Sequence, residues 1–249
     1  MVESIFLSKS LLLYAKNFKA AIVFAILLVS VIFFASFQNM FVSSGTIFFS
    51  YYTETIDSST ILAQAIGIIA FLLFYSLFVT VIVFSVKREL STVKLHYFLT
   101  EAVRKFSFKL FAFFLFFLAI AYLLQLFFLS IALPLWLSAL ILLILSIVFL
   151  FLPQAVVVDE QNVWNSIKNS LEFSVKYPLV SLFILVVGAV LVAVIQLIEL
   201  GFDKDFFLGN YVSIFLVMIF VQPFLEVIKT YLYIVTKFEL IKQHELKQA

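Results

Sequence analysis

Residues 61–109 read ILAQAIGIIAFLLFYSLFVTVIVFSVKRELSTVKLHYFLTEAVRKFSFK. Positions 61–86 of this stretch carry no charge, whereas positions 87–109 hold Lys87, Arg88, Lys94, Arg104, Lys105 and Lys109. A helix needs about 20 apolar residues to cross a hydrocarbon core of about 30 Å. The first half of the stretch is therefore long enough to span a membrane, and the second half is a basic segment that stays on one side of it. The same alternation runs through the chain. Apolar runs lie near 20–41, 61–86, 109–130, 134–153, 179–200 and 211–233. Lys9, Lys16 and Lys19 precede the first, Lys168 and Lys176 separate the fourth from the fifth, and Lys229, Lys237, Lys242 and Lys247 close the chain. With six spans, fifteen of the sixteen Lys and Arg residues fall on one side, and only Lys204 falls on the other. Basic loops stay in the cytoplasm, so the reading is a multi-pass protein of the cell membrane with both termini cytoplasmic.

Composition agrees with that reading. The chain of 249 residues is 65% hydrophobic and 12% charged, against about 45–50% and about 25% in soluble domains. Its mean hydropathy is +1.22. Backbone groups in lipid must be paired internally, and the runs lack the alternation of barrel strands. The expected fold is therefore all-α, a single integral membrane domain over 1–249. With no cysteine, disulfides, thiolate metal sites and a cysteine nucleophile are excluded. The net charge of +2 gives no sign of a nucleic-acid partner.

The basic segments have helical patterning of their own. Residues 2–16, 91–106 and 162–176 mix apolar and polar side chains at helical spacing. In the third, Val163, Trp164, Ile167, Leu171 and Val175 fall within about 120° on a helical wheel, and Asn162 or Asp159 is placed to cap its start. Such helices lie in the membrane interface. Ser166, Ser170 and Ser174 recur every fourth residue beside the apolar arc, a polar stripe narrow enough for close packing. They form the candidate docking stripe, with the inner end of span six, a second copy or another subunit as its partner. Phe106-Ser107-Phe108-Lys109 parallels Phe173-Ser174-Val175-Lys176, and Pro153 and Pro223 sit near the inner ends of spans four and six. These parallels predict three copies of one unit, an interfacial helix followed by an outward and an inward span.

Candidate chemistry is sparse. The sequence holds no Gly-rich phosphate loop and no His-Glu-x-x-His. His96 and His244 are far apart, Asp203-Lys204-Asp205 reads as a solvated turn, and Asp159-Glu160 suits the start of the third interfacial helix. No catalytic, metal or cofactor site is expected. Gln38, Gln64, Gln125 and Gln196 read as interhelical hydrogen-bonding residues. Gln222, Pro223, Glu226 and Lys229 form the candidate polar membrane site. Lys229 lies three residues beyond Glu226 on the same helix face and the two read as an ion pair in the interface, while Pro223 frees a carbonyl one turn back.

The stretch Leu152–Leu182, LPQAVVVDEQNVWNSIKNSLEFSVKYPLVSL, resembles the membrane domain of glycerophosphoryl diester phosphodiesterases and related six-span prokaryotic proteins of unassigned function. Pro153, Asp159, Ile167, Ser170 and Leu171 take the places of that family's span-ending proline, acidic residue and interfacial helix. Pro223, Tyr231, Tyr233 and Lys237 match the close of its last span. Lys and Phe stand here where the family commonly has Arg and Trp. The phosphodiesterase activity of such proteins resides in a separate soluble domain with no counterpart in this sequence. The resemblance therefore implies a membrane module and carries over no catalytic residue. The expected function is a non-enzymatic scaffold or accessory subunit that binds membrane lipids and a partner, with a homo-oligomer among the forms that partner takes. The alternative is a small transporter using the polar site at Pro223 and Glu226.

Overall fold

The computed structural model describes residues 2–35, 40–43, 46–49, 58–90, 99–131, 134–206 and 209–248. It is an all-α polytopic membrane protein. Helix α1 (Val2–Lys16) and α2 (Phe18–Ile22) meet at Asn17, and a 3-10 turn (Val23–Ile26) joins α2 to α3 (Leu27–Ala35). Strands β1 (Met40–Ser43) and β2 (Thr46–Phe49) follow, then the helices α4 (Ser58–Leu90), α5 (Leu99–Ser130), α6 (Leu135–Val148), α7 (Leu152–Val158), α8 (Val163–Lys176), α9 (Pro178–Phe206) and α10 (Gly209–Leu216). A π-helical turn (Val217–Val221) leads into α11 (Gln222–Gln248). Five helical stretches are long and apolar enough to cross a membrane, and a sixth arises if the bent pair Ser8–Lys16 and Phe18–Val31 counts as one span.

Several boundaries differ from expectation. Span one is described as helix to Ala35, and Met40 and Phe41, expected at its end, lie in an antiparallel pair of strands with Ser43 paired to Thr46. MFVS and TIFF are rich in strand-forming residues. In the second basic segment, 91–98 lie outside the described residues, and Leu99–Phe106 is no separate helix but the first turns of α5. Nothing between Phe106 and Lys109 breaks a helix, so the span and its basic approach are one rod. Span four extends past Pro153 to Val158 and is broken within. The polar turn expected at 201–210 is shorter, since α9 continues to Phe206.

The first span begins with a 70° bend. Asn17 holds it: its Nδ2 donates to Leu13 O at 3.0 Å and to Glu89 Oε2 at the end of α4 at 2.8 Å. Further along, Phe33 and Phe34 pack so closely on Gly67 that a Cβ there would lie 2.7 Å from Phe33 Cε1. The buried core is concentrated at the basic end of the bundle. Val79, Ile82, Val83, Phe84 and Val86 of α4 meet Ala102, Phe106 and Leu110 of α5, Leu152 to Val157 of α7, and Val227 to Tyr233 of α11. The opposite halves of α5 and α9 expose Leu, Phe and Val side chains, as a lipid-facing surface requires.

Candidate polar membrane site

Besides the bent first pair, two of the five long spans are broken, and both breaks lie in this basic half. In span four, α6 stops at Val148 and Pro153 stands in the first turn of α7. Leu152 N–H, which would return to Val148 O in a continuous helix, donates to Phe149 O at 3.1 Å. A helix end leaves carbonyls without intrahelical partners, and in lipid each must find one. Here α8 supplies the donor for Val148 O and a second donor to Ile147 O, which Leu150 N–H also reaches at 3.3 Å. Ser170 Oγ donates to Val148 O at 2.7 Å and Ser174 Oγ to Ile147 O at 3.2 Å. Ser166 is buried on the same face, its Oγ without a partner among the described residues. Trp164 on the far side is 77% exposed. The serine stripe thus packs inside its own chain, against span four and not against span six.

The second break is at Pro223. Gln222 N–H reaches back to Val217 O, five residues away, in the π turn. Pro223 has no N–H to return to the carbonyl four residues earlier. That carbonyl belongs to Ile219, and Tyr14 Oη of α1 donates to it at 2.9 Å. The Tyr14 ring also meets Phe224 edge to face, with centroids 5.6 Å apart.

Between the two breaks lies a buried carboxylate. Glu226 is 2% exposed. Its Oε2 accepts from Gln154 Nε2 at 3.0 Å, and its Oε1 accepts from Lys229 Nζ. Thr230 Oγ1 donates to the Glu226 backbone carbonyl at 2.7 Å and accepts from Gln154 Nε2 at 3.4 Å. Gln154 Oε1 is buried and has no partner among the described residues. The structure therefore corrects the expectation of an interfacial pair. Glu226 and Lys229 are joined, but under α7, which lays Gln154 across the carboxylate. Gln222 turns elsewhere, accepting at Oε1 from Tyr75 Oη at 3.5 Å. Pro223 is buried between these groups in sequence. An open depression of about 300 Å³ between α1, α4 and α11 is lined by Ser8, Lys9, Leu12, Leu13, Leu90 and Tyr231, and neither Glu226 nor Lys229 borders it.

The acidic pair before α8 does not cap it. Asn162 at the N-cap makes no side-chain capping bond, and Asp159 and Glu160 instead tie the bundle together. Asp159 Oδ2 accepts from Lys237 Nζ at 2.6 Å, from Tyr233 Oη at 2.7 Å and from Asn169 Nδ2 at 3.3 Å. Glu160 binds Lys87 at 3.1 Å and Lys105 at 2.9 Å. Lys109 Nζ reaches Gln161 O at 3.2 Å. Partial burial would raise the Glu160 pKa, but the hydrogen bonds and charges of Lys105 and Lys87 outweigh it and hold the carboxyl below its ordinary value. Glu160 adopts φ 56°, a left-handed conformation costing a non-glycine residue about 1–3 kcal/mol. The two ion pairs it makes hold it there.

Among the described basic residues, Lys109 reaches a backbone carbonyl and Lys168 pairs with Glu172 at the surface, and most of the others fall into two sets. Lys87, Lys105, Lys229 and Lys237 turn inward to carboxylates. Lys9, Lys16, Lys19, Arg88, Arg104 and Lys176 are exposed, and none is paired with a carboxylate among the described residues. Sequence reasoning passed over Gln154, Thr230 and Tyr14. Gln154 carried a signal, since Pro153-Gln154 and Gln222-Pro223 each place an amide beside a helix-breaking proline. His96 and Gln38 lie outside the described residues.

No protein-family model, curated protein or solved structure matches this chain.

Proposed function

We propose that the chain is a non-enzymatic integral membrane module of the cell membrane, with cytoplasmic termini, that binds anionic lipid at its basic end and serves a membrane partner as scaffold or accessory subunit. The division of the cations carries this reading. Among the described residues the charges inside the bundle are matched, while Lys9, Lys16, Lys19, Arg88, Arg104 and Lys176 are exposed and pair with no described carboxylate. Each basic residue near an anionic leaflet contributes about 1 kcal/mol of attraction. On this reading α1 and α8 lie in the inner interface, with Trp164, Leu171 and Val175 toward the acyl chains. The resemblance to a membrane domain without catalytic residues supports the same assignment.

The test is native mass spectrometry of protein extracted from vesicles of phosphatidylcholine and phosphatidylglycerol in equal parts. Phosphatidylglycerol should be retained several-fold over phosphatidylcholine, and a variant with Lys9, Lys16, Lys19, Arg88 and Arg104 changed to Gln should lose the preference. Equal retention by the unaltered chain would overturn it.

One observation favours the transporter reading. Two discontinuous spans face each other across a buried ionisable group, an arrangement transporters use for substrate and ion sites. Both Glu226 oxygens already have partners in the chain, which favours the scaffold. Glu226-dependent solute or proton flux in sealed vesicles would reverse that order.

A further inference from the structure

The depression between α1, α4 and α11 is polar at Ser8 and Lys9 and apolar at Leu12, Leu13, Leu90 and the ring of Tyr231. On α1, Leu12 and Leu13 lie one helical turn, about 6 Å, beyond Ser8 and Lys9. The path of α1 along α11 sets which end faces the basic side. Tyr14, just past Leu13, meets Phe224 and bonds to Ile219 O, whereas Lys9 shares the depression with Tyr231. Tyr231 lies seven residues, about 10 Å, nearer the basic end of α11 than Phe224 does. The polar end of the depression therefore faces the basic side of the bundle, and the apolar end faces the membrane interior. Its volume of about 300 Å³ is that of a small ligand site. Lys9 and Leu12 are both exposed, so it opens outside the bundle. Lys9 pairs with no described carboxylate. The described acids of the three walls are engaged elsewhere: Glu89 accepts from Asn17 at 2.8 Å, and Glu226 accepts from Gln154 and Lys229.

We infer that this depression seats one acyl chain of an anionic phospholipid, with the lipid phosphate on Lys9 and the chain along Leu12, Leu13, Leu90 and Tyr231. An uncompensated cation above an apolar cleft is the complement of an anionic head joined to a hydrocarbon tail, and basic pockets on the cytoplasmic side of helix bundles hold such heads. A peptide would bring backbone polar groups of its own, and the leucine walls offer them no partner. The inference rests on the lipid-binding reading above and gives that lipid a place.

Native mass spectrometry of protein from vesicles of phosphatidylcholine and phosphatidylglycerol in equal parts reads the preference for the anionic lipid. Lys9→Gln should lower it about fivefold, the weight of one basic residue, and Arg104→Gln on α5 should lower it clearly less. Leu12→Trp leaves every charge in place and fills the depression, so it should lower the preference as well. The unaltered chain gives a second measurement that no folding defect confounds. Phosphatidylglycerol carrying a diazirine in its acyl chain should cross-link to peptides containing Leu12, Leu90 or Tyr231, and phosphatidylcholine with the same label should do so far less. A preference not lowered by Leu12→Trp, equal losses from Lys9→Gln and Arg104→Gln, or cross-links confined to other helices would each overturn the site while leaving the chain's lipid preference standing. No preference in the unaltered chain would defeat the broader reading, and this site with it.

Discussion

Tyr14 and Ile219, 205 positions apart, are joined by a 2.9 Å hydrogen bond from the phenol to the backbone carbonyl. The carbonyl is available because Pro223 has no N–H, and the phenol reaches it because the chain bends by 70° after Lys16. On span four, Ser170 stands in the same relation to Val148. A short helix from the basic end supplies hydroxyls to the exposed backbone of each broken span.

Tyr14→Phe should keep the ring contact with Phe224 and lose only the hydroxyl. Transmembrane hydrogen bonds of this kind contribute about 0.6–2 kcal/mol. A small, reproducible fall in unfolding midpoint in detergent is expected, and Pro223→Ala should offset it by restoring an N–H for Ile219. No change in either variant would show that water or another group serves that carbonyl.

Ser170 should tolerate Ala better than Leu. Ser170→Ala removes one hydrogen bond, a loss of about 0.5–1.5 kcal/mol. Ser170→Leu adds bulk at a fully buried position, where overpacking costs about 1–3 kcal/mol. Equal behaviour of the two variants in thermal unfolding would mean that α8 does not pack as described.

Glu226→Leu should be severely destabilising, by about 3–5 kcal/mol, because it leaves the largely buried Lys229 without its counter-charge. The pair Glu226→Leu with Lys229→Met should recover much of that loss, and denaturant unfolding of single and double variants measures the coupling. Additive effects would place the two charges in solvent.

Acid should loosen the clamp at Glu160. Its carboxyl is held below the ordinary value by Lys105 and Lys87, so the folded state favours the ionised form. That contribution is fully present above the unfolded carboxylate pKa of about 4.3 and is lost as pH falls through the lower folded value. Stability measured from pH 7 to pH 3 should decline less in Glu160→Gln, from a lower starting point. A variant whose pH dependence matches the unaltered chain would exclude Glu160 from the clamp.

Membrane sidedness follows from charge partition. Ser58→Cys and Lys204→Cys should react with an impermeant thiol reagent applied from outside, and Asn165→Cys and Gln243→Cys should not. Labelling of Asn165→Cys from outside would invert the topology.

The class of fold and the approximate places of five spans were legible in the sequence, and the sixth expected span is the bent pair Ser8–Lys16 and Phe18–Val31. Fold class and span positions depend on hydropathy summed over about 20 residues and on where lysines fall, and both are one-dimensional quantities. Pro223 marked one break for the same reason, because a missing N–H is a property of one residue, whereas Pro153 had read as the end of span four and instead starts its second half. What the breaks bind was not legible. Ser170 repeats at helical spacing whichever helix it meets, and only the packing of α8 on α7 gives it Val148 O. The pairing of Glu226 with Lys229 could be read from their separation of three, but its burial could not, since Gln154 comes from 72 residues away. Asp159 and Glu160 looked like a helix cap because local capping needs only neighbours. In the folded chain four distant lysines and a tyrosine reach the loop that carries them first. Local rules set the elements, and long-range approach, which no spacing encodes, set their polar partners.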